Sequence, residues 1–412
     1  MWVRLRLDIG WPDLLSGFAY CVMPGKRLTA VHATARSWSR QEDFLITLSV
    51  RSAFDLTLRA LQLPCGSEVL LSALTVPDMV RIVRLHGLVP VPVDTDDAGN
   101  ISIRSLRRAI SPKTRMIVVA HLFGGLVLLD EVLQIARERA VLVVEDCAQG
   151  FRRVGDSGHP ASDIAMFSFG PIKTATAVGG GVIRVSSPAL RERIAEILKN
   201  DPVQSHFAFA RRLVRFSVLK LLSGRRCASL FRRCVESLGY DFDLIAGTAA
   251  RGFASFDLLS QIRRQPSAPL LRLLRRRWRS YDFARVERRV CMGRYLDKRI
   301  GLEHAESHSY WVYPLFVHDP TVVRDRLRAA GFDAICQSRM TVVPAIDDSR
   351  LPTLARLKWN QVVFLPWYPE MPDRAMDEMA NIVGYSNVVT DCHPERQNNT
   401  MHAEPPTARV SN

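Results

Sequence analysis

The residue best placed to do chemistry in this chain is Lys173. It closes the run Asp-Ile-Ala-Met-Phe-Ser-Phe-Gly-Pro-Ile-Lys, residues 163–173, and the glycines Gly179, Gly180 and Gly181 follow it. An amine between an apolar strand and a glycine run is positioned to meet a bound ligand. Upstream, Asp146 stands in Val-Leu-Val-Val-Glu-Asp-Cys-Ala-Gln, residues 141–149, at the end of a second apolar run. A desolvated lysine and a buried aspartate on neighbouring strand ends are the pair that pyridoxal phosphate chemistry needs. The amine forms a Schiff base, and the carboxylate keeps the pyridine nitrogen protonated.

The elements that must position this pair are legible as alternating patterns. Short β-rich runs are expected at Glu68 to Ser72, Leu88 to Val93, Arg115 to His121, Ala140 to Glu145, Ile164 to Phe169 and Gly181 to Val185. Helical patterns lie between several of them, such as Ser105 to Ile110 and Asp130 to Ala140. Continuous apolar strands alternating with helices predict an α/β fold with a mainly parallel sheet covered on both faces. Ligands in such sheets collect at the carboxyl ends of the strands, where both Asp146 and Lys173 fall.

A second, smaller α/β unit is expected from the apolar strands at Tyr310 to Val317 and Val362 to Leu365, with a helix at Val322 to Ala330 between them. The expected division is an N-terminal segment 1–30, a large ligand-binding domain 31–250 and a small domain 251–390 entered by a linking helix. The large domain includes the arginine-rich helical segment 200–250. Residues 391–412, polar and containing Pro394, Pro405 and Pro406, read as a disordered tail.

At 412 residues and 47% hydrophobic content the chain can bury a large core. Its uncharged apolar stretches fall far short of the roughly 20 residues that span a bilayer. Asp8 and Asp13 interrupt what would be the apolar part of a leader, so a cytoplasmic protein is expected. The eight cysteines stand at irregular spacing, with no Cys-x-x-Cys pair and no histidine at metal-ligand spacing. They are expected to be reduced thiols, with Cys147 packing behind a strand end, and no metal site is expected.

The net charge of +15 is concentrated between about residues 205 and 290, in pairs and triplets such as Arg211-Arg212, Arg275-Arg276-Arg277 and Arg288-Arg289. Such runs read either as solvated helix faces or as a basic rim for a diphosphate-bearing substrate or an anionic lipid surface. No nucleic-acid motif accompanies them. His206 to Leu222 reads as a helix with Arg211, Arg212 and Arg215 on one side, packing on the core or a partner subunit, or lying on a membrane surface.

From about Val50 to Val185 the order of motifs resembles the DegT/StrS family of sugar aminotransferases, within the fold type I pyridoxal phosphate enzymes. The residues that carry the resemblance are Arg-Ser-Ala, Glu-Val-Leu-Leu-Ser-Ala-Leu-Thr, Val-Pro-Val-Asp, His-Leu-Phe-Gly, Glu-Asp-Cys-Ala-Gln and Phe-Ser-Phe-Gly-Pro-Ile-Lys. Weaker likeness continues through Ser309-Tyr-Trp-Val-Tyr-Pro and Phe364-Leu-Pro.

The resemblance implies that Lys173 holds pyridoxal 5'-phosphate and shuttles a proton, that Asp146 pairs with the pyridine nitrogen and that Gln149 lies near the ring. It implies that Ser168 and the Arg51-Ser52 turn bind the phosphate, the latter opening a helix whose start favours anions. It implies a homodimer that moves an amino group, from glutamate, onto a keto group of a nucleotide-linked sugar or a related glycan or lipid precursor. A non-catalytic or regulatory binding module on the same fold, or another pyridoxal phosphate reaction on a sugar-type substrate, is the alternative. Three positions depart from the family pattern: Val76 where an aromatic residue covers the ring, Gly179 where a glutamate follows the lysine, and Ala249 near the asparagine that a neighbouring subunit contributes. Arg251, close by, is the candidate substitute for that asparagine.

Overall fold

A computed structural model describes the chain except residues 5, 40–42, 97–98, 250–252, 254–256, 303–307, 338–339, 385–387 and 390–412. The expected tail at 391–412 therefore lies outside the described residues, and so does Arg251.

The strands are β1 (Phe44–Thr47), β2 (Glu68–Ser72), β3 (Leu74–Thr75), β4 (Val89–Val93), β5 (Thr114–Ala120), β6 (Leu142–Asp146), β7 (Ile164–Ser168), β8 (Gly181–Val185), β9 (Tyr313–Phe316), β10 (Ile335–Cys336), β11 (Thr341–Val342) and β12 (Val362–Leu365). Seven of them form one sheet in the order β1-β8-β7-β6-β5-β2-β4. The ladders from β4 to β7 are parallel, whereas β8 runs antiparallel to both β7 and β1. The sheet is thus mixed, with a parallel centre. β1 lies in the stretch before Val50 and was not among the expected strands; at four residues it gives no alternation to read.

Period-2 geometry explains why the parallel strands read as unbroken apolar runs. In β5, Met116 and Val118 face one core with Phe54, Met79 and Val83, while Ile117 and Val119 face another with Leu106, Val132 and Leu133. Helices therefore cover both faces.

The large unit draws in chain from well outside 31–250. Helices Trp11–Val22 and Arg27–Trp38 pack on helix Ala268–Ser280, sharing a core with Phe44 and Phe167 of the sheet. Trp38 sits at the centre, its ring centroid 5.1 Å from that of Trp278 and 5.4 Å from that of Phe167. Both N-terminal helices and helix 268–280 bury apolar residues in the same core as the sheet.

The smaller unit is the antiparallel sheet β10-β12-β9, covered by helices Ala284–Ile300, Pro320–Ala329 and Asp373–Val383 around Tyr313, Phe332 and Met379. Among the contacts that fasten it to the large unit are a strand pair and a helix cap. β11 pairs with β3, and the Asp94 carboxylate accepts the N–H groups of Leu354 (3.0 Å) and Ala355 (2.8 Å) at the start of helix Thr353–Gln361. A carboxylate at a helix start satisfies donors that have no partner within the helix, and it also complements the dipole.

Candidate active site

The parallel strands end on one edge, and the residues singled out by sequence gather there. Asp146 is the last residue of β6 and pairs with Ala120 of β5 and Met166 of β7. Lys173 follows β7 through a turn closed by its N–H on the Gly170 carbonyl, 3.0 Å. No ion pair joins Lys173 to Asp146 among the described residues, yet each lies in the other's field. Burial lowers the Lys173 amine to about 7, with repulsion from Arg51 adding to the effect and Asp146 opposing it. Burial likewise raises the Asp146 carboxyl, while Lys173, His121 and Arg51 pull it back. One carboxylate oxygen accepts the Ala148 N–H at 3.0 Å; the other accepts no hydrogen bond among the described residues. Trp311 lies against the amine, its ring centroid 3.9 Å from Nζ.

The loop that follows Lys173 is held from four directions. The Asp8 carboxylate accepts the Ala175 N–H at 3.1 Å, and Arg277 donates to the Thr176 carbonyl at 3.0 Å. Arg212 donates through Nε to the Val178 carbonyl, and Arg289 donates to the Thr174 hydroxyl at 3.1 Å. The loop needs such support because Ala175 and Val178 take left-handed backbone angles, φ 53° and 54°, which are uncommon for Ala and an outlier for a β-branched residue. Gly180 closes it at φ +92°, where a Cβ would lie 2.5 Å from Leu274.

The arginine run is thus split by the fold. Arg211 and Arg215 are exposed, but Arg212 turns toward the lysine loop, and Arg277 and Arg289 are each 6% exposed. Arg277 also pairs with Asp13 at 2.7 Å and donates to the Asp8 carbonyl at 2.6 Å. The two aspartates that break the N-terminal apolar run therefore serve as anchors for this clamp. In helix His206–Leu222, Phe209, Leu213 and Phe216 are buried in the core, which favours the packing reading of that helix. No helix among the described residues is long and apolar enough to cross a membrane.

The other candidates divide into those that face the strand ends and those committed elsewhere. Ser168 ends β7 with its hydroxyl 3.4 Å from the Gly170 N–H, a weak contact. Arg51 opens helix Val50–Leu61, its Nε on Asp78 at 2.5 Å. Ser52 is buried, and Ser49 accepts its N–H at 3.1 Å and lies 3.0 Å from its hydroxyl. Gln149 is engaged structurally, its Oε1 accepting the Phe123 N–H at 2.9 Å. Val76 caps helix Pro77–Leu85 and packs half-buried on the core, and the Ala249 carbonyl accepts from Arg215 at 3.0 Å.

Behind Asp146, ligand atoms of His121, Glu145 and Cys147 lie within 4.8 Å of one another. His121 Nδ1 accepts the Val127 N–H at 3.0 Å, which leaves Nε2–H to donate to Glu145 at 3.0 Å. With both ring nitrogens engaged by protein, the cluster is a buttress under the strand end. Although burial opposes ionisation of Glu145, hydrogen bonds from His121 and Ser162 hold its carboxyl below the usual range. Burial pushes the Cys147 thiol well up, in keeping with its expected packing role.

Trp311, Asp8, Arg277 and Arg289 were not among the site residues expected from sequence. A signal existed for two of them: Arg277 stands three and four residues past Leu274 and Leu273, and Arg289 three past Val286, on otherwise apolar helix stripes.

As a donor set, the strand ends suit pyridoxal phosphate. They offer an amine that deprotonates near neutrality, a carboxylate with one oxygen unengaged, a serine hydroxyl and a helix start bearing an arginine.

The chain is 32% identical over 148 residues to GDP-perosamine synthase of Escherichia coli O157:H7, a match covering 34% of the chain and 40% of that protein. It is 34% identical over 151 residues to the UDP-N-acetyl-3-dehydro-alpha-D-glucosamine 3-aminotransferase of Acidithiobacillus ferrooxidans, covering 36% and 41%. The chain thus matches about two fifths of the length of these curated relatives. Among solved structures, the sugar aminotransferase CalS13 of Micromonospora echinospora superposes with a TM-score of 0.65 at 20% identity, covering 93% of this chain and 99% of that one. PseC of Helicobacter pylori, an aminotransferase of pseudoaminic acid biosynthesis, gives 0.66 at 14% identity, covering 93% and 98%. These likenesses establish the fold type I arrangement. The family pattern itself matches residues 20–383, and the chain belongs to the DegT/DnrJ/EryC1/StrS aminotransferase family.

Proposed function

We propose that this protein is a pyridoxal phosphate-dependent aminotransferase that moves an amino group from glutamate to a keto group of a nucleotide-linked sugar or a related glycan precursor. The observation that carries the reading is geometric: Lys173, in the turn past β7, lies with its amine 3.9 Å from the centroid of the Trp311 ring, at the same sheet edge as Asp146, one of whose carboxylate oxygens accepts no hydrogen bond among the described residues. When bound, the coenzyme supplies an electron sink that lets a carbon–hydrogen bond next to an amine be broken. Lys173 Nζ, uncharged for a large fraction of the time at neutral pH, takes the proton from the substrate carbon and returns it. Asp146 holds a proton on the ring nitrogen, and Trp311 shields the amine from water. The arginine clamp keeps the strained lysine loop in one conformation, so Nζ does not have to be ordered at each turnover. The keto-sugar class is inferred from the relatives that the chain resembles.

Glutamate added to the coenzyme-loaded protein should convert the visible absorbance of the lysine-bound form into that of the aminated coenzyme. A keto-sugar nucleotide should then restore it. A loaded protein whose spectrum ignores glutamate would instead be a binding module, as the departures at Val76 and Ala249 allow.

We also infer a cytoplasmic homodimer. Trp11, Leu15 and Val22 on the first helix and Val214, Val218 and Leu221 on helix 206–222 are exposed apolar side chains on two helices that pack together. A second copy would cover them. Sedimentation velocity should find a dimer, whose apolar face is then closed to anionic vesicles at low salt. A monomer that pellets with the vesicles would assign this face to a lipid surface.

A further inference from the structure

We propose that the outer face of helix Arg225–Ser237 is a peripheral docking surface for an anionic lipid bilayer. Residues three, four and seven apart share one side of a helix. Arg226, Leu230 and Arg233 follow that spacing and are exposed, whereas Ala228 and Val235, on the opposite side, are buried. The outer face thus carries a leucine, 66% exposed, between two arginines. Past the end of the helix, Leu238 and Tyr240 are exposed as well.

The charges of this face are left unanswered by the protein. Among the described residues, Arg226 and Arg233 make no ion pair and no hydrogen bond. The other two arginines of the helix are engaged: Arg232 Nε donates to Glu236 at 2.7 Å, and the Arg225 guanidinium lies 3.6 Å from the centroid of the Trp2 ring. Helix Ala284–Ile300 meets its surface arginines with carboxylates, Arg288 with Asp373 at 2.6 Å and Arg299 with Asp377 at 3.1 Å. Residues 225–235, by contrast, include no acidic side chain. Arg225, Arg226 and Arg233 instead line one open groove of about 520 Å³, together with Ser229 and Leu230. Such a groove attracts phosphate esters.

The company of leucine and arginine selects the partner. Guanidinium groups alone would serve a polynucleotide or a soluble phosphate ester equally well, but neither removes an exposed leucine from water. A bilayer does both. The apolar side chain enters the boundary of the acyl region, while the arginine stems lie along it and keep their charged ends at the phosphates. Arg107 and Arg108 of helix Ile103–Ala109 show the contrast, being exposed on a helix that exposes no large apolar side chain. None of the docking residues belongs to the apolar face assigned above to a second copy.

The test is co-sedimentation of the full chain with vesicles of phosphatidylcholine alone, or of phosphatidylcholine and phosphatidylglycerol in equal parts. The wild type should pellet with the anionic vesicles at low salt, less at high salt, and not with phosphatidylcholine alone. R226E/R233E should weaken this binding by at least about tenfold, each arginine near an anionic surface contributing a factor of about five. R226Q/R233Q reads the same direction of loss if the double reversal does not fold. R107E/R108E changes the net charge by as much as R226E/R233E and should stay within about twofold of the wild type, because charges away from the contact are screened. Leu230→Ser leaves the charge unchanged and should still weaken binding by about three- to tenfold. A wild type that ignores the anionic vesicles, or binds both kinds equally, overturns the proposal. So does an equal loss in R226E/R233E and R107E/R108E, which would assign the binding to net charge, or undiminished binding in L230S. Binding of a short RNA that R226E/R233E abolishes, with vesicles ignored, would give the face to nucleic acid instead.

Discussion

The Lys173→Ala protein is expected to form no covalent link to the coenzyme, to lack the visible absorbance of the lysine-bound form, and to lose at least about 10⁴ in transamination rate. The turn that follows β7 carries no lysine besides Lys173, so it offers no second amine for the proton transfer. The reactivity of the wild-type amine should also report its surroundings. Capture of pyridoxal phosphate, trapped by borohydride, should be half-maximal in rate near pH 7, the value to which burial brings Lys173, and not near the ~10.4 of an ordinary lysine. Arg51→Gln removes a repelling cation and should move that midpoint up. A midpoint near 10 in the wild type would refute the desolvated site.

The same shift has a stability sign. A lysine whose folded-state value lies below its unfolded value penalises the fold at low pH. Between about pH 7 and the unfolded value near ~10.4 that penalty fades as pH rises. The coenzyme-free protein should accordingly gain stability over this window, and a Lys173→Met variant should gain less.

Asp146→Asn is expected to lower the transamination rate by about 10²–10³ while leaving coenzyme capture by Lys173 intact, since it removes charge from the ring nitrogen without removing the amine. Two further readouts separate this role from general damage. Asp146 opposes the lowering of the Lys173 amine, so its neutralisation should move the capture midpoint below about 7. Burial raises the Asp146 carboxyl, which means that its charge costs more in the coenzyme-free folded state than in the unfolded chain. The coenzyme-free Asn variant should therefore melt no lower, and by this sign higher, than the wild type at pH 7. A variant that melts lower and turns over normally would show Asp146 to be a structural carboxylate.

How much of this site was legible beforehand differs from residue to residue. The runs at Glu68 to Ser72 and Gly181 to Val185 were legible to the residue, because central strands buried on both faces leave no polar alternation to blur their ends. Asp146 and Lys173 were legible for the same reason, each being the first chemically capable group past such a run. Ser52 and Gln149 matched the motif, yet their hydrogen bonds go to Ser49 and to the Phe123 backbone. A motif records residue type and order, whereas a hydrogen bond depends on where a neighbouring element arrives. Strand β1 and the N-terminal helices were missed because their partners, β8 and helix 268–280, lie far along the chain.

What the sequence by itself determined is the pairing of a lysine and an aspartate at the ends of parallel strands, since apolar runs of this length and spacing admit few other sheets. The arginines were decided only by the tertiary structure. Arg211 and Arg212 are neighbours in one run, yet one is exposed and the other grips the Val178 carbonyl. Arg277 is buried because Asp13 arrives from 264 residues away to neutralise it. A buried cation is tolerated only where a carboxylate or a carbonyl meets it, and that meeting is a property of the folded chain. The reactivity of Lys173 has the same origin: its value of about 7 comes from burial and from Arg51 on a separate helix, neither of which is written in the motif around it.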